Sequence, residues 1–192
     1  MYQVEVTVKG TSVLLQHRFP MPDLATASKG AKRKSGAVDY STEWRQALYV
    51  NADGQIYQPG LHFEASLVAA ATQFKITGAR GKSYRDLLRS SVFVRPDEIL
   101  HGLTAPESLT ADADEKLYID ARPVVIQRSR IVRLRPAFKA GWQLSFTIEC
   151  IDDQIHEDLL LDVLTLAGRT IGIGDHRPKF GRFAVVHFKK LE

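Results

Sequence analysis

Two segments of the chain alternate strictly between apolar and polar residues, and this pattern constrains the fold more than any other feature. In residues 2–9 the apolar positions run from Tyr2 to Val8 at every second residue, and in residues 142–150 they run from Trp142 to Cys150. A period of two is typical of a strand with one face in a core and the other in water. Both segments are therefore predicted to be half-buried strands.

Two other segments carry the 3.6-residue period of amphipathic helices. The first covers residues 60–74 and follows a Pro-Gly pair. The second is predicted over about residues 154–168, where Asp152 and Asp153 would cap its beginning and Gly168 would end it. These two segments supply the helices of the predicted core.

The remaining core strands are predicted at residues 124–134 and 182–189, which are rich in apolar and β-branched residues. The order along the chain is then βαββαβ. That order defines a ferredoxin-like or RRM-like core, an α+β fold with an antiparallel sheet. The sequence shows no linker between independent units, so we expect a single domain over residues 1–192, with insertions at about 17–58 and 76–120.

Charge is distributed unevenly along the chain. Lys and Arg number 26 against 22 Asp and Glu, for a net charge of +4, and the acids concentrate at 97–120 and 149–162. The basic residues form three groups: Lys29, Lys32, Arg33 and Lys34; Arg122, Arg128, Arg130, Arg133, Arg135 and Lys139; and Arg177, Lys179, Arg182, Lys189 and Lys190. Clustered cations are typical of a protein that binds a nucleic-acid backbone.

The middle basic group lies in a predicted strand. In a strand Arg128 and Arg130 share one face, whereas Arg133 and Arg135 fall on the other unless a bulge intervenes. One interpretation is a sheet face that binds nucleic acid, and the alternative is a solvated structural face. The segment lacks the aromatic pair that an RRM uses to stack bases.

The most informative stretch, GIGDHRPKFGRF, begins at residue 172 and joins the second helix to the last strand. Glycines let a backbone come close to a ligand, cations attract phosphate, and an aromatic ring can stack on a base. The predicted nucleic-acid-binding residues here are Gly172, Gly174, His176, Arg177, Lys179, Phe180, Gly181 and Arg182. The alternative is a purely structural connection that needs unusual backbone angles.

This loop, placed before the last strand of a ferredoxin-like core, resembles the glycine-rich signature of the RAMP superfamily of CRISPR-associated proteins. That superfamily includes Cas7-like and Cas6-like members. A second similarity is IYQPG at residues 56–60, followed by a helix, as in Cas7-like proteins. The resemblance implies a subunit that binds RNA through the loop, with the first insertion, including Lys29 to Lys34, as a finger, and copies stacked along a guide RNA in a ribonucleoprotein. It also implies a cytoplasmic role in antiviral defence.

The sequence gives little support to an enzymatic function. The six histidines are scattered without metal-ligand spacing, and no nucleotide or cofactor motif is present, so neither a metal nor a cofactor is predicted. The resemblance leaves open a Cas6-like, metal-independent endoribonuclease with His17 or His62 as general base, or target cleavage by Asp23 or Asp39. A phage or mobile-element protein that binds single-stranded DNA is the other alternative.

Cys150 is the only cysteine and lies in an apolar strand, so a buried thiol is predicted. The chain begins with a strand instead of a secretory signal, and no apolar run approaches the length of a membrane span. We therefore expect a cytoplasmic protein with no membrane partner.

Overall fold

The computed structural model describes residues 1–19, 43–126 and 129–191. The strands are β1 (Tyr2–Gly10), β2 (Leu14–Leu15), β3 (Gln55–Pro59), β4 (Val92–Arg95), β5 (Glu98–Thr104), β6 (Leu117–Ile126), β7 (Ser129–Phe138), β8 (Gln143–Cys150) and β9 (Phe183–Lys190). The helices are α1 (Glu43–Ala47), α2 (Gly60–Ala70), α3 (Arg85–Ser91) and α4 (Glu157–Leu166). A 3-10 turn, Ala71–Gln73, follows α2, and a π-helical turn, Ala167–Ile171, follows α4.

The main sheet has the strand order β4-β8-β1-β9, and every neighbouring pair is antiparallel. When the four core strands are numbered in chain order, they lie side by side in the order second, third, first, fourth. This order is that of a ferredoxin-like sheet, so the predicted ferredoxin-like α+β fold is confirmed. Val4, Val6 and Val8 of β1 are fully buried, and they share one core cluster with Phe63 of α2 and Leu160 of α4. Burial of this face against the helices is the main source of stability.

The second core strand is not the segment predicted. Residues 124–134 do not enter the main sheet, because they belong to β6 and β7, which pair with each other from Leu117 opposite Phe138 to Ile126 opposite Ser129. The second core strand is β4, whose four residues pair with β8 and bury Val92 and Val94. The sequence predicts a short strand near residues 91–94, but as part of the second insertion, because four residues carry less periodicity than the longer Val- and Ile-rich hairpin.

This correction moves the second insertion. It lies between the second and third core strands, where β5 pairs with β3 and the β6–β7 hairpin forms a three-stranded sheet with β2. We call β6 and β7 the hairpin arm. At its outer half Val125 is 67% exposed and Val132 is 51% exposed. The arm therefore extends apolar side chains into solvent.

The helix predicted near residue 154 begins later and ends differently. The N-cap is His156, whose side chain forms no capping hydrogen bond. Asp152 does not cap the helix, since its carboxylate accepts a hydrogen bond from the Gln154 N–H at 2.8 Å in the preceding turn. Gly168 does not end the helix. It is buried in the π-helical turn, where a Cβ would overlap the Phe183 carbonyl oxygen, and Gly172, with a φ of 75°, ends the helical path.

Two smaller expectations can also be compared with the structure. Cys150 is fully buried, which confirms the predicted packing role. Among the residues described above, no helix combines the length and apolar character needed to cross a membrane.

Candidate nucleic-acid interface

The glycine-rich loop, residues 172–182, lies against the short strand β2. The backbone N–H of Asp175 donates to the Leu15 carbonyl at 2.9 Å, and that of Gly181 donates to the Val13 carbonyl at 2.8 Å. Within the loop, the Ile173 N–H donates to the Gly181 carbonyl at 3.0 Å. These bonds hold both ends of the loop to the protein, so its backbone is fixed before any ligand arrives.

The three glycines of this loop have a structural reason to be glycine. All three have φ angles between 72° and 76°, which side chains disfavour. A Cβ on Gly174 would overlap the Leu15 carbonyl oxygen, and one on Gly181 would overlap that of Ile173. The close approach that they permit is thus to the protein's own backbone. A direct contact of Gly172, Gly174 or Gly181 with nucleic acid stays a prediction.

Phe180 also packs inward. Phe180 is 6% exposed and forms a small core cluster with Leu15, Tyr118 and Ala137 under the hairpin arm. The guanidinium of Arg122 lies 4.4 Å from the centre of its ring. The Phe180 ring is covered in this arrangement, so it would have to leave the cluster before it could stack on a base. Stacking of Phe180 on a base stays a prediction. The evident role of Phe180 is to dock the loop on the arm.

The basic side chains of the loop face solvent. His176, Arg177, Lys179 and Arg182 are exposed, and the Phe180 N–H donates to the His176 carbonyl at 3.2 Å across the tip. His176 has a φ of 54°, so the chain reverses at this residue and presents Arg177 and Lys179 at the tip. Three of the predicted residues, His176, Arg177 and Lys179, therefore lie on one exposed turn, and Arg182 is exposed at the end of the loop, just before β9.

The arginines of the hairpin arm have different environments. Arg133 is paired with Glu43 of α1, and Arg135 is buried with its Nε 2.6 Å from Oδ2 of Asp175. Neither forms a free cationic face in this state. Arg130 is exposed near the outer end of the arm, as a binding role requires. Arg128, together with Lys29, Lys32, Arg33 and Lys34, lies outside the described residues.

His62, at the start of α2, is the end of a chain of hydrogen-bonded side chains and lies near Arg177 of the glycine-rich loop. Gln16 donates to Oε1 of Gln58 at 3.1 Å, and the Gln58 amide in turn donates to Nδ1 of His62. Burial lowers the pKa of His62 to about 4, and the nearby Arg177 guanidinium acts in the same direction. The neutral ring therefore carries its proton on Nε2 and has no free lone pair, an arrangement that does not suit a general base.

His17 lies on the same side of the molecule. Its side chain reaches the surface, yet partial removal of water lowers its pKa, with the Asp175 charge opposing the shift and Arg135 adding to it. The sequence suggested His17 and His62 separately, and the structure brings both next to the glycine-rich loop. Asp23 and Asp39 lie outside the described residues.

The uncovered face of the main sheet differs from an RRM binding face. On β1 and β8 it carries Glu5 and Glu149, and these acids have basic neighbours: Lys189 is opposite Glu5, and Arg95 lies 3.5 Å from Glu149. Charges of both signs alternate on this face and its Phe93 ring is half-buried, so the face offers neither an unpaired cationic surface nor a free ring for stacking. The cationic loop is thus the better candidate for contact with nucleic acid.

Comparison with known proteins gives a match in structure but not in sequence. No protein-family model matches the chain, and no characterised protein matches it in sequence. A chain in the cryo-EM structure of the type III-B Cmr-β complex bound to cognate target RNA is similar in fold, with a TM-score of 0.56 and 9% sequence identity. The alignment covers 100% of this chain and 61% of that one. The protein thus shares its fold with a chain of a CRISPR complex and spans about three fifths of that chain's length.

Proposed function

We propose that this protein is a non-catalytic RNA-binding subunit of a CRISPR-like ribonucleoprotein and that it grips the RNA backbone with its glycine-rich loop. The observation that carries the proposal is the exposed turn of His176, Arg177 and Lys179, with Arg182 exposed after it, on a loop whose two ends are held by backbone hydrogen bonds. A rigid loop loses little conformational freedom on binding, so more of the attraction to phosphate is retained as affinity.

The kind of contact follows from the side chains. Contacts of Arg and Lys with phosphates carry no sequence information, and the one phenylalanine of the loop, Phe180, is packed inside. Binding is therefore expected to depend strongly on salt and weakly on sequence. Such contacts suit a subunit that holds RNA whatever its sequence, as a guide-binding subunit must.

Membership of a larger assembly is supported by the hairpin arm. Val125 and Val132 are more than half exposed near its outer end, beside the exposed Arg130. Apolar side chains on a projecting hairpin are costly in water unless a partner covers them. We expect the arm to contact a neighbouring subunit, either a second copy of this chain or another component of the complex.

The alternatives have less support from the geometry. An RNA-cleaving enzyme with His62 as base is disfavoured by the hydrogen bond to Nδ1 and by the low pKa of the ring. Binding of single-stranded DNA would use the same cations, because both backbones carry one charge per nucleotide. RNA is favoured by the fold shared with a chain of an RNA-bound complex.

The first experiment asks what the protein carries when it is purified. RNA of defined length that co-purifies with a multimeric species in size-exclusion chromatography is the expected result. A nucleic-acid-free monomer would count against assembly, and metal-free cutting of hairpin RNA that is lost in His17→Ala would move the protein to the enzyme class.

The second experiment measures binding directly. Arg177→Ala with Lys179→Ala is expected to weaken binding to every RNA sequence tested and to reduce the salt slope by about 0.7 for each phosphate that is no longer neutralised. Lys9→Ala with Lys116→Ala removes two exposed cations that lie outside the loop and form no ion pair among the described residues, and this variant serves as the control. Weaker binding confined to particular sequences, or tighter binding to single-stranded DNA of equal length, would contradict the proposal.

A further inference from the structure

A second group of cations lies on the other side of α2 from the glycine-rich loop. Residues 75–89, which we call the basic segment, contain Lys75, Arg80, Lys82, Arg85 and Arg89 against a single carboxylate, Asp86. All five cations are exposed, and within the described part of the chain none of them forms an ion pair. Five unpaired cations in fifteen residues repel one another, which favours a polyanionic partner.

The basic segment begins with a turn that is closed by two backbone hydrogen bonds and exposed to solvent at its tip. The Ile76 N–H donates to the Lys82 carbonyl at 2.9 Å, and the Tyr84 N–H donates to the Phe74 carbonyl at 3.0 Å. At the tip, Gly78 has a φ of 77° and a Cβ there would meet no atom within 4 Å. Here the glycine faces open space, in contrast to the packed glycines of the loop at 172–182. A ligand can therefore approach this backbone.

Two grooves connect the basic segment to the glycine-rich loop. One groove, of about 620 Å³, is lined by His176 and Arg177, and the other, of about 420 Å³, is lined by Arg85 and Arg89. Both are also lined by Ala65 and Ala69 of α2, so the two grooves are separated only by a ridge of methyl groups. The two alanine side chains are too small to block a ligand that passes from one groove to the other.

The face of α2 between the two cationic groups is compatible with a polyanion. Glu64, the carboxylate of the second groove, is half-buried and is held toward β4 by the hydrogen bond from the Val94 N–H to its Oε1 at 2.9 Å, and the two arginines of that groove outnumber it. Asp175, in the first groove, is paired with Arg135. Leu61, beside it, is 69% exposed and offers an apolar surface to a base. An α-helix is about 10–12 Å across, a distance that a few nucleotides of a single strand span.

We infer that the RNA path does not end at the glycine-rich loop but crosses α2 to Arg85 and Arg89, so that both cationic groups hold one continuous strand. This inference rests on the proposed function and adds the direction and extent of the path. The chemistry recognised is the phosphodiester backbone, with Leu61 and the two alanines in contact with sugars and bases.

The test is equilibrium binding of a fluorescently labelled RNA of about 20 nucleotides to the full-length protein over a range of roughly 50–300 mM salt. Arg85→Ala with Arg89→Ala is expected to reduce the salt slope by about 1.4, which corresponds to roughly 25-fold weaker binding at about 0.1 M salt when the two affinities are equal at about 1 M. Lys9→Ala with Lys116→Ala is the charge-matched control and should weaken binding less. Circular dichroism and the urea midpoint confirm that each variant is folded.

The outcomes separate the two hypotheses. If the Arg177/Lys179 variant loses binding while the Arg85/Arg89 variant equals the control, the continuous path is wrong and the proposed function stands. If neither variant differs from the control, the proposed function itself fails. If the Arg85/Arg89 variant binds RNA normally but loses the ability to bind polyglutamate, the basic segment recognises an acidic protein and the inference is overturned.

Discussion

The Nε atom of Arg135 lies 2.6 Å from Oδ2 of Asp175, and this ion pair ties the hairpin arm to the glycine-rich loop. The Arg135 side chain is 8% exposed and that of Asp175 is 31% exposed. The Nε–H of Arg135 does not point at Oδ2 of Asp175, so this contact is not a hydrogen bond. Nη1 of Arg135 is also buried without a hydrogen-bond partner among the described residues. The two elements are therefore held together by charge more than by directed hydrogen bonds.

Removal of the Asp175 charge is expected to destabilise the protein. Asp175→Asn leaves the Arg135 guanidinium buried without a counter-charge, so the free energy of unfolding should fall by about 2–3 kcal/mol. Urea denaturation measures the change. The double variant Arg135→Met with Asp175→Asn removes both charges and should recover most of the loss, whereas strictly additive losses would show that the pair is not coupled.

The glycines of the two loops are expected to respond differently to alanine. Gly181→Ala combines an unfavourable φ with overlap at the Ile173 carbonyl and should cost about 3 kcal/mol or more. Gly78→Ala has a similar φ of 77° but open space around it, so only the backbone cost of about 1–2 kcal/mol applies. Thermal or urea unfolding of the two variants compares them. Equal costs would show that the packing around Gly181 adds nothing to the backbone cost.

Gln16 is expected to be essential for the packing of α1 and β3. Its fully buried side chain donates to the Tyr57 carbonyl at 2.8 Å and accepts the Tyr49 N–H at 3.0 Å. Gln16→Leu leaves both backbone groups without a partner and should lower the free energy of unfolding by about 2–4 kcal/mol. Gln143→Leu, at an exposed strand position, is the control and should change it by no more than about 0.5 kcal/mol. A similar small change in both would contradict the role of Gln16.

Acid is expected to destabilise the fold through His101. Burial lowers the pKa of this ring from 6.5 to about 3, and the ring stacks on Phe138 at 4.0 Å with Nε2 unpartnered among the described residues. Between pH 6.5 and about 3 the unfolded chain binds a proton here that the folded chain does not, so stability falls as the pH falls. At about pH 5 the loss from this group is about 2 kcal/mol.

The measurement compares the wild type with His101→Phe, which keeps an aromatic ring and removes the titration. Between about pH 7.5 and about pH 5, the urea midpoint should fall less in the variant. His62, with its pKa of about 4, contributes a further acid-dependent loss in both proteins. A fall of the same size in both would show that His101 does not carry this pH dependence. If the larger ring prevents folding, His101→Gln serves the same purpose.

Several features of the site could not be predicted from spacing. The sequence predicts cations and glycines at residues 172–182, but the same glycines suit a ligand or the protein's own backbone. Only the folded loop shows that Gly174 packs against Leu15 of β2 and that Gly181 packs against Ile173. Phe180 is likewise a core residue because the hairpin arm covers it. The approach of His62 to Arg177 joins residues that are far apart in the chain, which no local pattern encodes.

Local periodicity determined the strands at 2–10 and 143–150 and the helix at 60–70, because each of these segments buries one face at the period of its secondary structure. The last strand, 183–190, is predicted from its apolar and β-branched residues, since a β-bulge breaks its alternation and leaves Val186 54% exposed. Local periodicity failed for the second core strand. Residues 92–95 complete the main sheet at its edge, but so short a pattern does not show that they belong to the core instead of the insertion, whereas the hairpin arm shows a longer pattern outside the core. Charge along the chain predicted nucleic acid as the partner. The tertiary structure decided which of those charges are free, because ion pairs such as Arg135 with Asp175 form only when distant segments meet.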